Sequence, residues 1–276
     1  MVRSLAVLAV LFLAYNAWLL HSRPDILYLQ NQWQANAVAA EEFIHSQTPK
    51  NVALVGSSMT AHMQKEMLGN EFWNLGFSSG SSATGLEILS RAKVLPRIVL
   101  VEANMVSTVD SGFVKTLFQP LTYFLKDRLP ATRTCYQPIN LLVNRVKSVK
   151  NAPQEALGQD AFAKILAINT AAYNQAPDTA VLETDIKRMA KSVAILSSRG
   201  VHVVFFRMPM HPDLRNSALC RESYSRLKAA FPDSRFQWLD HLPGELPTFD
   251  GVHLLDPSAR EFANLLRKET VAMAAK

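Results

Sequence analysis

The chain has 276 residues, which suits one α/β domain with an insertion or at most two small domains. Its composition is 49% hydrophobic with ordinary glycine and proline content, which excludes global disorder and allows a packed core. The formal net charge is +6, and the seven basic residues and one acid between Ser111 and Lys150 account for all of it, so the basicity is local.

The N-terminus begins with Arg3, followed by an apolar run over residues 5–20 that ends before Arg23 and Pro24. About 17 residues is short for a membrane span and long for the core of a signal peptide. Because no small-x-small cleavage site follows, the run predicts an uncleaved signal anchor over residues 1–24. We expect the N-terminus inside and the remainder outside the cytoplasmic membrane, as a periplasmic domain. A cleaved signal peptide and a buried helix are the alternatives.

After the anchor, residues 25–48 are predicted to form a helical linker, and short apolar runs then alternate with helical periodicity. The predicted strands are 51–56, 72–77, 97–102, 201–206 and 236–239, and the predicted helices are 28–47, 59–68, 82–93, 182–198, 217–230 and 256–268. Runs rich in Val, Ile and Leu between turn residues are typical of strands buried on both faces. The alternation predicts an α/β fold over residues 49–276: a flavodoxin-like, three-layer parallel sheet with helices on both faces.

The interval of about 107–180 breaks this alternation and is predicted to be a helical insertion. Phe113, Phe118, Tyr123 and Phe124 lie among its basic residues. Either these aromatic side chains pack onto the domain, or the insertion forms a surface that contacts a membrane, an anionic polymer or a partner protein. Nucleic acid is disfavoured as a partner because the domain is expected outside the cytoplasm.

The first predicted strand ends at Gly56, and Ser57 and Ser58 stand between it and the next helix. A serine at this position lies at the carboxyl edge of a parallel sheet, where ligands bind in open α/β folds. The alternative is that both serines only cap the helix. Near the other end, Asp250 precedes His253 by three residues in a turn, a spacing that can place both side chains beside one serine. Alone, such a pair is more often solvated.

Two further residues follow predicted strands. Gly76 ends the second strand, where its N–H is expected to be open to a ligand, and Asn104 follows the third, where its amide can donate to an oxyanion. As alternatives, Gly76 is only a turn glycine and Asn104 only a helix cap.

These blocks, in the order serine, glycine, asparagine and aspartate–histidine, resemble the SGNH hydrolase superfamily, also called GDSL-type esterases. The resemblance implies that Ser58 is a nucleophile with Asp250 and His253 as its charge-relay partners. It also implies an oxyanion hole formed by the Ser58 N–H, the Gly76 N–H and the Asn104 side chain. It implies no cofactor, and the two cysteines do not lie in a metal-type spacing.

The resemblance covers residues 51–104 and 245–268, with departures. The chain has Gly-Ser-Ser at 56–58 where the family has Gly-Asp-Ser, and Glu-Ala-Asn-Met at 102–105 where the family has Gly-x-Asn-Asp. Gly-Ser-Ser behind an anchor resembles envelope-polymer proteins such as the D-alanine-transfer and alginate-acetylation proteins, which work beside a membrane-bound O-acyltransferase. This implies acyl transfer to or from a hydroxyl of an envelope glycan, through a Ser58 ester. A plain carboxylesterase, lipase or deacetylase is the first alternative, and a non-catalytic assembly protein is the second.

Other candidate residues keep two interpretations each. His211 follows the fourth strand and either contacts substrate or only shapes its loop, and His62, one turn after Ser58, either lines the cleft or is solvated. Glu102 either replaces the missing acid of its block or pairs with a base. Cys135 and Cys220 either form a disulfide or are unpaired buried thiols.

Overall fold

The computed structural model describes residues 2–22, 24, 31–46, 48–146 and 156–274. The chain divides into two compact units. Unit 1 consists of Met1–Gln47 and Gly112–Ala152, and unit 2 consists of Thr48–Ser111 and Pro153–Lys276. The interval 107–180, expected as one insertion into the α/β domain, is thus divided between the two units.

Thirteen α-helices and five strands lie in the described part of the chain. The helices are α1 (Val2–Ser22), α2 (Gln32–Ile44), α3 (Ser58–Ala61), α4 (Lys65–Leu68), α5 (Ser82–Arg91), α6 (Ser111–Leu117), α7 (Pro120–Arg128), α8 (Pro138–Val146), α9 (Gln159–Tyr173), α10 (Thr179–Ser198), α11 (Pro212–Arg215), α12 (Ala218–Ala230) and α13 (Asp256–Ala274), with a 3₁₀ helix at Pro130–Thr132. The strands are β1 (Val52–Gly56), β2 (Phe72–Gly76), β3 (Ile98–Glu102), β4 (His202–Phe206) and β5 (Gln237–Trp238).

The five strands form one sheet in unit 2, in the order β2-β1-β3-β4-β5, and every pair is parallel. This is the flavodoxin-like strand order. The predicted α/β fold with a parallel sheet is therefore confirmed, although β5 is shorter than the expected 236–239.

The core of unit 2 explains why these segments are strands. All five residues of β1 and all five of β3 are buried, because helices cover both faces of the sheet and leave no place for an alternating polar side. In the register of the sheet, Gly56 is opposite Gly76 and Val55 is opposite Val101. The segments that follow β1, β2 and β3 therefore leave the sheet at the same edge.

Two predicted helices differ from the observed ones. The expected helix 59–68 is two short helices, α3 and α4, because Gln64 takes an extended conformation with ψ of 156°. The interruption lets Met63 join the apolar core, where its side chain is completely buried. The expected helix 28–47 is shorter, since α2 begins at Gln32, and residues 28–30 and 47 lie outside the described part of the chain.

Unit 1 contains α1, α2, α7, α8 and most of α6. The segment Arg3–Ser22 of α1 is long and apolar enough to cross a membrane, with a mean hydropathy of 1.8. Helix α2 is joined to α7 by the pair Lys126 Nζ and Glu41 Oε1 at 2.5 Å. It is joined to α8 by a hydrogen bond from Gln34 Nε2 to Asn140 Oδ1 at 3.0 Å. Cys135 in this unit and Cys220 in unit 2 are both free and buried, so they form no disulfide.

Candidate active site

The turn that joins β1 to α3, residues 56–60, holds two serines with different surroundings. Ser57 is the N-cap of α3, and its Oγ accepts a hydrogen bond from Met59 N at 3.2 Å. Ser58 is the first residue of α3, is only partly buried, and places its Oγ 2.8 Å from Nε2 of His253. Helix capping, the alternative role for both serines, therefore falls to Ser57, while Ser58 faces the histidine.

Glu102, at the end of β3, holds the 56–60 turn in place. Its Oε2 accepts hydrogen bonds from Ser57 N at 2.9 Å and Thr60 Oγ1 at 2.5 Å, and its Oε1 accepts one from Ser57 Oγ at 2.8 Å. A β-carbon on Gly56 would overlap both Glu102 Oε2 and Thr60 Oγ1, so the close approach requires glycine. Burial raises the pKa of the Glu102 carboxyl, and the hydrogen bonds from Thr60 and Ser57 oppose that rise. The groups that donate to Glu102 are therefore neutral groups of the turn and not a basic side chain.

Asp250 and His253 lie in the loop 247–255. The Asp250 Oδ2 atom lies 2.7 Å from His253 Nδ1, and Asp250 Oδ1 accepts the backbone N–H groups of Val252 at 2.9 Å and His253 at 2.7 Å. Burial by itself raises the pKa of Asp250, but the hydrogen bonds from His253 and Val252 outweigh it, so the pKa lies below its usual value. The ionised carboxylate favours the tautomer with hydrogen on Nδ1, which leaves Nε2 free to accept from Ser58.

This loop is supported by α9, for which the sequence had indicated no role. Asn169 Nδ2 donates a hydrogen bond to Asp250 O at 2.9 Å, and Gly251 turns the chain with a φ of +88°. An antiparallel bridge between Thr248 and Leu254 closes the loop. The second half of the interval 107–180 therefore positions the aspartate–histidine pair. No sequence signal could have found Asn169, because its partner is 81 residues away.

The structure corrects the expectation for Gly76. Its N–H is not open to a ligand, because it donates to Asn74 Oδ1 at 2.8 Å. An asparagine side chain commonly accepts from the backbone two residues further on. The Asn74 amide also donates to Thr60 O at 2.9 Å and Met63 O at 2.8 Å, which ties β2 to the segment after Ser58. In the loop that follows, Ser79 has a φ of +56°, an uncommon conformation for a serine.

The oxyanion role expected for Asn104 stays a prediction, because both ends of its side-chain amide have partners in this structure. Its side chain is completely buried, its Oδ1 accepts from Met208 N at 2.6 Å, and its Nδ2 donates to Met208 O at 2.8 Å. The second contact of Nδ2 is the sulfur of Met210 at 3.3 Å, a weak acceptor. Asn104 takes this geometry because β3 and β4 are neighbours, so the chain leaving β4 passes within reach of its amide. It joins the two exit loops.

The two other candidate histidines, His62 and His211, lie near the loop 247–255. Residue His62 keeps an exposed surface, while its ring is tilted against the His253 ring, with 4.7 Å between centroids. Partial burial lowers the pKa of His62, and the nearby His253 imidazole lowers it further. His211 is the N-cap of α11, and its backbone N–H donates to Gly251 O at 2.8 Å, so it has a structural role in its loop. Its ring also borders a cavity lined by Phe162, and contact with substrate stays a prediction.

Comparison with known proteins shows no family for this chain, so its function has to be argued from the geometry of the site. No family model matches the chain, and no curated protein matches it. A solved structure from Streptococcus pneumonia, which carries the provisional name platelet activating factor, is similar with a TM-score of 0.44 and 11% identity. The similarity covers 95% of this chain and 98% of that one. At this level it says nothing about the activity of the chain.

Proposed function

We propose that this chain is a serine enzyme of SGNH type that transfers an acyl group to or from a hydroxyl of an envelope glycan outside the cytoplasm. The single observation that supports the chemistry is the continuous chain of hydrogen bonds from Ser58 Oγ to His253 and on to Asp250. A nucleophile, a base in contact with it and a third group that orients the base are the minimum for acyl transfer through a serine ester.

The proposed reaction begins when Ser58 Oγ attacks the ester carbonyl and its proton passes to His253 Nε2. The imidazolium is stabilised by Asp250, which stays ionised. Collapse of the tetrahedral intermediate breaks the bond to the leaving alcohol, which takes the proton from His253, and the acyl group stays on Ser58. A hydroxyl of the acceptor then attacks the Ser58 ester and gives its proton to His253. When the bond to Oγ breaks, Ser58 regains that proton.

For the oxyanion we propose the Ser58 N–H together with one N–H of Asn104. Ser58 is the first residue of α3, so its N–H has no acceptor within the helix. The Asn104 N–H that now faces the Met210 sulfur is the more easily recruited of its two, because a thioether is a weak acceptor on a flexible side chain. Gly76 could contribute only if Asn74 released its N–H, so it takes no part in this proposal.

The acceptor and the location rest on the combination of this site with α1. An apolar helix of this length ahead of a serine site resembles the envelope-modifying proteins, so we propose a single-pass anchor, a domain outside the membrane and a glycan hydroxyl as acceptor. A membrane-bound O-acyltransferase is the partner that this resemblance implies. A reporter that works only outside the cytoplasm, fused after Lys276, should be active. A stable but inactive fusion would contradict the location.

The chemistry is tested with two neighbouring serines as a matched pair. A serine-directed organophosphonate should add one label to the wild type and to Ser57→Ala, and none to Ser58→Ala. Hydrolysis of a small aryl acetate should fall by roughly 10⁶-fold in Ser58→Ala, the loss typical of a missing nucleophile. Equal labelling of Ser58→Ala and the wild type would remove Ser58 from the mechanism.

The same assay separates the alternatives. Acyl transfer from the aryl ester to an added oligosaccharide, at the expense of free acetate, supports the transferase. Hydrolysis without any acylated oligosaccharide, over a range of neutral and anionic acceptors, indicates a plain esterase or deacetylase. Neither hydrolysis nor phosphonate labelling in a correctly folded protein would point to the non-catalytic assembly protein.

A further inference from the structure

Unit 1 exposes large apolar side chains on several of its helices and buries a cluster of polar ones. Among the described residues, unit 2 exposes only four large apolar side chains, namely Val94, Ile168, Val181 and Val271. Unit 1, with fewer than half as many residues, exposes many more. Those on α1 and α2 are Leu5, Val7, Leu8, Val10, Leu11, Phe12, Leu13, Trp18, Leu20 and Trp33, and those on α7 and α8 are Leu121, Phe124, Ile139 and Leu142. Soluble proteins rarely expose so much apolar surface in one region.

Beside buried apolar residues such as Phe43 and Val114, the interior of unit 1 contains a hydrogen-bonded polar network. Glu41 is 2% exposed, and besides Lys126 it accepts hydrogen bonds from Thr134 N and Thr134 Oγ1, both at 2.7 Å. Asn140 is 1% exposed, accepts from Gln34 and donates to Thr134 O at 2.8 Å. Polar side chains that satisfy one another inside a helical body, with apolar side chains outside, are expected where the surrounding solvent is lipid.

Helices α7 and α8 show how polar side chains come to lie inside and apolar ones outside. Helix α7 turns Tyr123, Lys126 and Asp127 toward α2, which leaves Leu121 at 68% and Phe124 at 58% exposure, three residues apart on the other face. Helix α8 buries Asn140 and leaves Ile139 and Leu142 exposed with the same spacing. Residues three apart lie on one face of a helix, so each helix presents an apolar stripe.

The length of α1 gives an independent reason to place these stripes at a membrane. One face of its last two turns packs against the rest of unit 1, since Tyr15 Oη donates to Tyr136 O at 2.5 Å, Asn16 Oδ1 accepts from Ala131 N at 3.1 Å, and Leu19 is 1% exposed. The uncovered residues 3–14 span about 18 Å at roughly 1.5 Å per residue. The hydrocarbon core of a bilayer is about 30 Å thick. If α1 crosses it, the part of unit 1 that covers Tyr15 to Leu19 must lie at membrane depth.

We infer that unit 1 is a membrane-seated body, in which the apolar stripes of α7 and α8 enter one interface of a phospholipid bilayer beside α1. The exposed Trp18 and Trp33 belong to the residue type that is enriched at the level of the headgroups. Non-helical backbone is tolerated at that depth because α1 takes up two of its polar groups: Asn16 accepts the N–H of Ala131 in the 3₁₀ helix Pro130–Thr132, and Tyr15 donates to the carbonyl of Tyr136.

The basic residues between Ser111 and Lys150 do not all face outward. Lys126 is bound to the buried Glu41, and Arg133 Nε donates to Lys126 O at 2.8 Å, so neither forms part of an outward basic face. Lys115 and Arg128 are exposed and can meet anionic headgroups. Of these four basic side chains only two face outward, so we expect apolar area to supply most of the attraction to lipid, which high salt does not weaken.

The test uses the full chain in phospholipid vesicles with an environment-sensitive fluorophore on one introduced cysteine at a time. Leu121→Cys, Phe124→Cys and Leu142→Cys probe the stripes, Leu8→Cys probes α1, and Val271→Cys and Ile168→Cys are equally exposed apolar controls in unit 2. The native Cys135 and Cys220 are buried, and burial raises the pKa of the Cys135 thiol to about 12, so they should label poorly. Wild-type labelling sets the background.

We expect probes at 121, 124 and 142 to shift to the blue and to be quenched by bromine atoms on the lipid chains, as the probe at position 8 is, at low and high salt. The probes at 168 and 271 should show neither effect. Because the vesicles contain no other protein, docking on a membrane-embedded partner cannot produce the signal. If position 8 reaches lipid but the stripes behave like position 271, the inference is overturned and α1 is a plain anchor. If position 8 does not reach lipid either, unit 1 is not a membrane body at all.

Discussion

Unit 2 buries apolar side chains such as Leu54 and Phe262 and keeps its candidate catalytic groups at one edge of the sheet. Unit 1 buries Glu41 and Asn140 beside apolar residues such as Phe43, and it exposes Leu121 and Phe124. Both units obey the rule that a buried polar group needs a partner, but unit 1 combines it with exposed apolar stripes on α7 and α8. Changes in unit 2 should therefore alter chemistry and leave lipid contact intact, and changes in unit 1 should do the reverse.

Apart from loss of the nucleophile Ser58, the largest effect should come from the aspartate. In Asp250→Asn we expect kcat for ester hydrolysis to fall by about 10⁴-fold, the loss typical of a triad whose histidine is held in the wrong tautomer. Lipid contact measured by probes on unit 1 should not change. Asp213→Asn is the control, because that exposed carboxylate lies beside His211 and not beside His253. A loss below about tenfold in Asp250→Asn would mean that His253 does not need its partner.

The converse change is made in unit 1. Glu41→Ala leaves Lys126 without its buried counter-charge and Thr134 without its acceptor, so we expect a loss of about 3–5 kcal/mol in the stability of unit 1. Hydrogen exchange over residues 112–146 should accelerate, while kcat stays at the wild-type value. Glu87→Ala is the matched control, because its ion pair with Arg91 lies at the surface and is worth only about 0–1 kcal/mol. If both substitutions cost the same, the polar network does not hold unit 1 together.

A third prediction separates two roles of one residue in unit 2. Asn104→Ala should lower kcat by roughly 10²–10³-fold if its amide serves the oxyanion. It should also reduce the free energy of unfolding by about 1–3 kcal/mol, because Met208 N and O lose their partner. Met210→Leu, which removes only the sulfur contact, should keep kcat near the wild-type value. Lower stability with unchanged kcat in the folded Asn104→Ala protein would leave Asn104 a purely structural bridge.

The smallest effect concerns the acid side of the stability profile. Because the folded pKa of Asp250 is below its ordinary value, its ionised form contributes stability above the unfolded pKa. This contribution is lost as pH falls from the unfolded pKa through the folded one. The stability difference between the wild type and Asp250→Asn should therefore shrink in that window, measured by hydrogen exchange of the 247–255 loop. A difference independent of pH would contradict the hydrogen bonds assigned to the carboxylate.

Local patterns were enough to predict much of unit 2. Buried strands such as Val52–Gly56 consist of apolar runs bounded by turn residues, and the alternation with helices implied a parallel sheet. That topology brings the carboxyl ends of neighbouring strands to one edge, which is why Ser58 could be singled out. The spacing of Asp250 and His253 indicated one turn holding both. The contact of His253 Nε2 with Ser58 Oγ, at 2.8 Å, depends on how the distant ends of the domain pack and is seen only in the folded chain.

The points that the sequence left unsettled share a physical cause. Gly76 and Asn104 have the residue types of oxyanion donors, but whether a donor is open depends on which acceptor packs beside it. Asn74 Oδ1 takes the N–H of Gly76, and the backbone of Met208 takes the amide of Asn104. Likewise, the role of Glu102 could not be chosen between two interpretations until Ser57 and Thr60 were seen to donate to it. Such partners are set by packing between segments far apart in the chain.

By itself, the sequence determined the fold class, the apolar character of α1 and the residue types at the sheet edge, because these follow from short-range periodicity and composition. Tertiary structure decided the division of the chain into two units and the inward turn of Lys126 toward Glu41. It also decided the support of Asp250 by Asn169. The reason is that hydrogen bonds and ion pairs of buried polar groups are short-ranged and directional. Their partners depend on how helices pack in space, which no local pattern specifies.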